Sequence, residues 1–169
     1  LGLREAYLYS RTRSRAEALA SEMNQAGMRV SVIDDPATVL DTVRIIVTAT
    51  TSTRPILPTA LPANTFVAAV GAFRAHMAEG PPALLAHGRV VIDTAEGARE
   101  EAGDLIQAHE SGHFDWQQAT SLEAVVLDQA QPVGGGPIIF KSVGQSLWDL
   151  AAGQVLVESL DRHHTSSTQ

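Results

Sequence analysis

Ser10-Arg11-Thr12 ends an apolar run, Ala6-Tyr7-Leu8-Tyr9, and precedes a helical pattern. Two hydroxyls around a guanidinium can offer hydrogen bonds and positive charge to a phosphate. At the end of such a strand in a dinucleotide-binding sheet, an acidic residue would instead hold the free ribose hydroxyls of NAD. The trio therefore points to NADP(H) as the preferred ligand, with NAD(H) as the alternative; the plainer reading is a polar loop that starts a helix. Two further apolar runs end in Thr48-Ala49-Thr50 and in Val70-Gly71-Ala72-Phe73. Small residues let a ligand lie against the backbone, and Gly71 permits a tight turn beside a flat ring. Either could be packing alone; together they outline a trough.

Other motifs carry less. His109-Glu110-Ser111-Gly112-His113 matches HExxH, whose zinc chemistry needs a helix to bring both imidazoles to one face. Gly112 lies inside the motif and no apolar periodicity surrounds it, so no metal site is expected. Residues Gly135 to Ser142 approach a phosphate-binding loop, but Phe140 stands where its second glycine belongs. His163-His164 reads as part of a solvated terminus. A G-x-G-x-x-G fingerprint is absent; it belongs between the first strand and first helix of a dinucleotide fold, and this chain is expected to begin after them.

The elements that must position these residues alternate. Strands are expected over Ala6–Ser10, Arg29–Ile33, Arg44–Ala49, Phe66–Val70 and Arg89–Asp93. Ser14-Arg15-Ala16-Glu17 reads as a capping box opening a helix to about Gln25, closed by Gly27. Asp35-Pro36 opens a short helix to about Thr42, and Pro81-Pro82 another that ends near Gly88. Residues Thr50 to Asn64, rich in Thr and Pro, read as loop. Helices are expected over Ala95–Ala102 and Ser121–Gln129. From Ser142 to about Leu160, Val143, Leu147, Leu150, Ala151 and Val155 recur at amphipathic spacing, and the polar tail from Asp161 is expected to fray. Strand–helix alternation of this period means βαβ units: an α/β, doubly wound Rossmann-type parallel sheet with helices on both faces.

The composition agrees. The 169 residues are 44% hydrophobic with no cysteine, which excludes a disordered tail and a disulfide-stapled module. The net charge is −7 and the 12 basic residues are scattered, so nucleic-acid backbone binding is not expected. No apolar run is long enough to span a membrane, and the expected compartment is the cytoplasm. Lys141 is the only lysine among eleven arginines.

Taken in order, several pieces resemble the ornithine cyclodeaminase/mu-crystallin family. They are Tyr9-Ser10-Arg11-Thr12, Ile46-Val47-Thr48-Ala49-Thr50, Ala69-Val70-Gly71-Ala72-Phe73-Arg74, Val90-Val91-Ile92-Asp93, Glu101-Ala102-Gly103-Asp104-Leu105 and Phe140-Lys141-Ser142-Val143-Gly144. The resemblance implies a Rossmann domain over residues 1–140, lacking its first strand and glycine loop. Residues 141–169 would form a helix returning to a substrate and dimerisation domain, in a homodimer. It also implies that Ser10, Arg11 and Thr12 hold the adenosine ribose phosphate, and that Thr48, Ala49 and Thr50 line the cofactor trough. Val67, Ala68, Ala69 and Val70 would run under the nicotinamide. Ser142 would meet the nicotinamide end, and Val143 the substrate. Cyclodeaminase members carry an acid where this chain has Phe73, and phenylalanine cannot move a proton. The pattern is closer to the family's ketimine reductases, which act on cyclic imino acids such as pyrroline-2-carboxylate. The alternatives are an NAD-using ornithine cyclodeaminase-type lyase and a non-catalytic, NADPH-binding mu-crystallin-like protein. No catalytic residue is assigned from these positions, and catalysis by the 169 residues alone is not expected.

Overall fold

The computed structural model describes residues 2–166. In order, the chain forms β1 (Glu5–Leu8), α1 (Arg13–Gln25), β2 (Arg29–Val32), a 3-10 turn (Pro36–Thr38), β3 (Ile45–Thr48), β4 (Phe66–Ala69) and α2 (Pro82–His87). It continues with β5 (Arg89–Ile92), α3 (Ala95–Glu101), α4 (Gly103–Glu110), a second 3-10 turn (Trp116–Gln118) and β6 (Thr120–Ser121). The last elements are α5 (Leu122–Val126), β7 (Ile138–Lys141) and α6 (Ser146–Ser166). Two compact units divide after Arg44.

In the first unit β1 and β2 pair in parallel, Ala6 opposite Val30, and α1 buries Ala16 and Ala20. Gly27, at φ +88°, closes α1 in the left-handed region as the sequence implies. The helix starts two residues earlier than the expected capping box would place it, with Thr12 rather than Ser14 as the N-cap and no side-chain capping hydrogen bond. Glu17 is taken up by Arg13, whose Nε donates to Glu17 Oε1 at 2.8 Å while Nη1 bonds Asp34. These bonds hold the Arg13 guanidinium further above its already high pKa, the Glu17 bond first. After β2, Asp35 caps as expected, accepting from Ala37 N at 2.9 Å. Only a 3-10 turn forms there, however, not a helix to Thr42.

The second unit is a five-stranded parallel sheet in the order β3-β4-β7-β5-β6. Its central strand, β7, was not among the expected strands. Four residues behind three glycines and a proline give periodicity little to register; its neighbours on both sides are what make Ile138–Lys141 a strand. Even-numbered residues of β3 and β5 and odd-numbered residues of β4 and β7 face one core, in which Val67, Val90 and Ile139 are fully or almost fully buried. Leu84 and Leu85 of α2, Ala98 of α3, and Leu105 and Ala108 of α4 cover that face. Helix α4 was not foreseen as a separate element. Helix α5 is shorter than expected, with Ser121 as its N-cap. Helix α6 begins later, at Ser146, and runs to Ser166, past the expected fraying at Asp161. Residues 167–169 of that tail lie outside the described residues, as do the side chains of His163 and His164.

Candidate functional site

Register fixes where the second unit can bind a ligand. Thr48 pairs with Ala69, Ala69 with Lys141, and Lys141 with Ile92. These four residues form one row at the carboxyl ends of four adjacent strands, all buried. The turns just beyond the row are where ligands sit on such sheets. They carry Ala49 and Thr50, Val70 and Gly71, Ser142 and Val143, and Asp93.

Glu79 joins two of these turns. Its carboxylate is fully buried and accepts from Thr48 Oγ1 at 2.9 Å, Thr50 N at 2.6 Å and Gly71 N at 2.9 Å. A Cβ at Gly71 would stand 2.3 Å from Thr50 backbone atoms and from Glu79 Oε1, so only glycine lets the turns close together. Asp104 of α4 holds the next stretch, accepting from Glu79 N at 2.5 Å and Gly80 N at 2.9 Å. The second Asp104 oxygen lies 2.9 Å from Lys141 Nζ, an ion pair with both side chains buried. Gln107 Nε2 donates to Ala75 O and Met77 O. The segment from Gly71 to Gly80 is thus strapped down at its base, while Phe73, Arg74, Ala75 and His76 stay exposed at its tip.

Asp93 does the same for the β7–α6 loop. One of its oxygens accepts from Ser142 Oγ at 3.0 Å, Val143 N at 2.8 Å and Gly144 N at 2.9 Å. Gly144, at φ +90°, makes this turn possible. Beside it, Thr94, Glu96, Gly97 and Glu100 with Gly144 to Leu147 line a shallow depression of about 350 Å³.

The structure divides the residues singled out from the sequence into separate groups. Thr48, Thr50 and Gly71 meet around Glu79. Ala49 and Val70 are exposed beside them. Val67 and Ala69 point into the core, leaving backbone as what they can present; Ala68 is half-buried on the opposite face. Ser142 is buried with its hydroxyl donated to Asp93, and Val143 packs on the core. Phe73 is 40% exposed, with the Arg74 guanidinium 5.8 Å from its ring centre. In the first unit, Ser10 Oγ accepts from Thr12 N at 3.2 Å, shaping the turn into α1. Arg11 is exposed and, among the described residues, has no ion-pair partner.

HExxH does not form one helical face. Helix α4 ends at Glu110 and Gly112 takes φ +73°. His109 Nδ1 lies 2.9 Å from Phe114 O, and His113 Nδ1 lies 3.0 Å from Ser111 O. The residues missed from sequence are Glu79, Asp104 and Lys141 as a connected set. Glu79 had a signal, being the sole acid between Asp41 and Asp93, and Lys141 had its solitude. Nothing in the sequence showed that the two would share Asp104.

The model of the Ornithine cyclodeaminase/mu-crystallin family matches residues 1–164. Delta(1)-pyrroline-2-carboxylate reductase 2 of Burkholderia ambifaria is 38% identical over 152 residues, covering 90% of this chain and 46% of that protein. The structure of Thermococcus litoralis Delta(1)-pyrroline-2-carboxylate reductase in complex with NADH and L-proline matches with a TM-score of 0.84 at 22% identity. That match covers 95% of this chain and 51% of the other. An archaeal alanine dehydrogenase dimer with bound NAD matches at 0.79 and 23% identity, over 96% of this chain and 52% of the other. At these identities the two structures attest to the fold. The chain spans about half the length of the curated relatives it matches.

Proposed function

The chain belongs to the ornithine cyclodeaminase/mu-crystallin family, and from that premise we propose that it does the cofactor-binding work of an NAD(P)H-dependent reductase of small cyclic imino acids. The bound nicotinamide would supply hydride to the carbon of a C=N bond; the protein's part is to hold and orient the two molecules. Phe73 carries the choice of reaction. It presents an apolar ring at the carboxyl end of β4, where a cyclodeaminase-type lyase would need a carboxylate to move a proton. The 38% identity to a pyrroline-2-carboxylate reductase points the same way.

Two features support the cofactor reading, each taken within its own unit. The turns after β3 and β4 offer Thr48, Ala49, Thr50 and Gly71 as a floor of small residues, with the backbone of Val67 to Val70 beneath. Ser142 and Val143 border the same end of the sheet. The turn between β1 and α1 offers Ser10, Arg11 and Thr12 at a helix N-terminus, where a phosphate is favoured by the backbone dipoles as well as by Arg11. An unpaired guanidinium there favours NADP(H) over NAD(H). We place residues 1–140 in cofactor binding and α6 in a homodimer contact, with a small amino or imino acid as substrate and the cytoplasm as compartment. Among the described residues no helix is long and apolar enough to cross a membrane.

The test is a fluorescence assay of NADPH with pyrroline-2-carboxylate, using the full-length protein. Steady NADPH oxidation is expected. Ammonia release from ornithine would replace this reading with the lyase, and tight NADPH binding without turnover would replace it with a binding protein.

A further inference from the structure

We propose that Glu79 is the positioning residue for the cofactor floor: its buried carboxylate fixes the turns after β3 and β4 in the shape that receives the dinucleotide. The proposal rests on the cofactor reading above and adds to it the group that builds the site. All the polar connections of Glu79 converge on this role. Its side chain takes three donors from two different turns, Thr48 Oγ1, Thr50 N and Gly71 N. Its carbonyl accepts from Ile56 N at 2.8 Å and Leu57 N at 3.0 Å, holding the loop that leaves β3. Its own N–H is fixed by Asp104, which in turn is held by Lys141 on the central strand. Glu79 is therefore anchored from below by α4 and β7 and points its two oxygens upward into the turns.

Chemistry requires a carboxylate here. Both oxygens face donors only, so an amide in its place would turn an NH2 group toward Thr50 N–H or toward Thr48 and Gly71. A buried backbone N–H left without an acceptor costs free energy that the turn can recover only by moving. Glu79 does not need to touch the cofactor for this; it acts through Thr50 and Gly71.

The experiment compares the full-length wild type with Glu79→Gln and with Thr48→Val, the latter removing a single donor with almost no change of shape. NADPH and NADH dissociation constants, the KM for pyrroline-2-carboxylate at saturating cofactor, and amide exchange at Thr50 and Gly71 are measured. For Glu79→Gln, both cofactors are expected to weaken by about ten-fold or more, with amide exchange at Thr50 and Gly71 accelerated. The imino-acid KM should stay within about two-fold, and Thr48→Val should show a smaller loss of the same kind. Equal cofactor affinity in wild type and a folded Glu79→Gln overturns the positioning role while leaving the cofactor reading intact. So does a loss that follows only the fraction of unfolded protein. A wild type that binds neither dinucleotide removes the cofactor reading itself, and the role with it.

Discussion

Arg11 and Arg13 stand two positions apart, and of the two only Arg13 has an ion-pair partner among the described residues. Arg13 is paired with Glu17 and Asp34, and that pairing raises its pKa, so its charge is committed to the protein. Arg11 is exposed and has no ion-pair partner among the described residues, so on the reading proposed above its charge is available to a ligand. Changing Arg11 to Ala in the full-length protein should weaken NADPH by about 1.5–3 kcal/mol, the worth of a charge-assisted contact, and leave NADH nearly unchanged. Parallel fluorescence titrations with the two cofactors check this; equal losses would remove the 2′-phosphate assignment. Lys141 lies at the opposite extreme of exposure. With Asp104 Oδ2 at 2.9 Å and no other polar partner among the described residues, it neutralises a carboxylate that is itself buried. Lys141→Met leaves that carboxylate uncompensated and should cost about 3–5 kcal/mol in urea unfolding. Asp104→Leu should not restore stability when added, because the Glu79 and Gly80 amides would then lose their acceptor.

At the scale of elements, the loop after β4 and helix α4 behave as one part. Gly103, the first residue of α4, lies against the loop so closely that a Cβ would meet Met77 O at 2.2 Å and Arg74 O at 2.3 Å. Those are backbone atoms and cannot swing aside. Gly103→Ala should therefore destabilise by at least about 1–3 kcal/mol and displace the tip that carries Phe73. Thermal unfolding and the imino-acid KM together would show both effects, whereas loss of stability alone would detach the loop from the substrate. This coupling was legible in sequence only in part: Gly71 reads as a turn, while Gly103 and Asp104 enter only within the Glu101–Leu105 piece that carries the family resemblance. The helix they belong to did not stand out, because eight residues with a glycine start offer too few turns for a clear period.

For the molecule as a whole, unburied apolar surface is the main observation. Helix α6 exposes Leu147, Leu150, Val155, Leu156, Val157 and Leu160, and the edge strand β3 exposes Ile45 and Val47. A helix apolar on more than one side is stable in water only when something covers it. A homodimer contact through α6 predicts that Leu150→Glu with Val157→Glu, seven residues apart on one face, shifts the full-length protein to monomer in sedimentation velocity. An unchanged dimer would place the contact elsewhere.

The sequence by itself determined the alternation of strands and helices, the family, and the small and charged residues that end the strands. The alternation depends on local period, and the family on its resemblance in an ordered set of short motifs, and such signals lie in the chain itself. The tertiary structure decided that Ile138–Lys141 is the central strand, that Val67 and Ala69 turn inward, and that Glu79, Asp104 and Lys141 form one buried chain of contacts. Each of those depends on residues 24 to 72 positions apart being brought side by side. Such pairings are set by sheet register, and no window along the chain contains them.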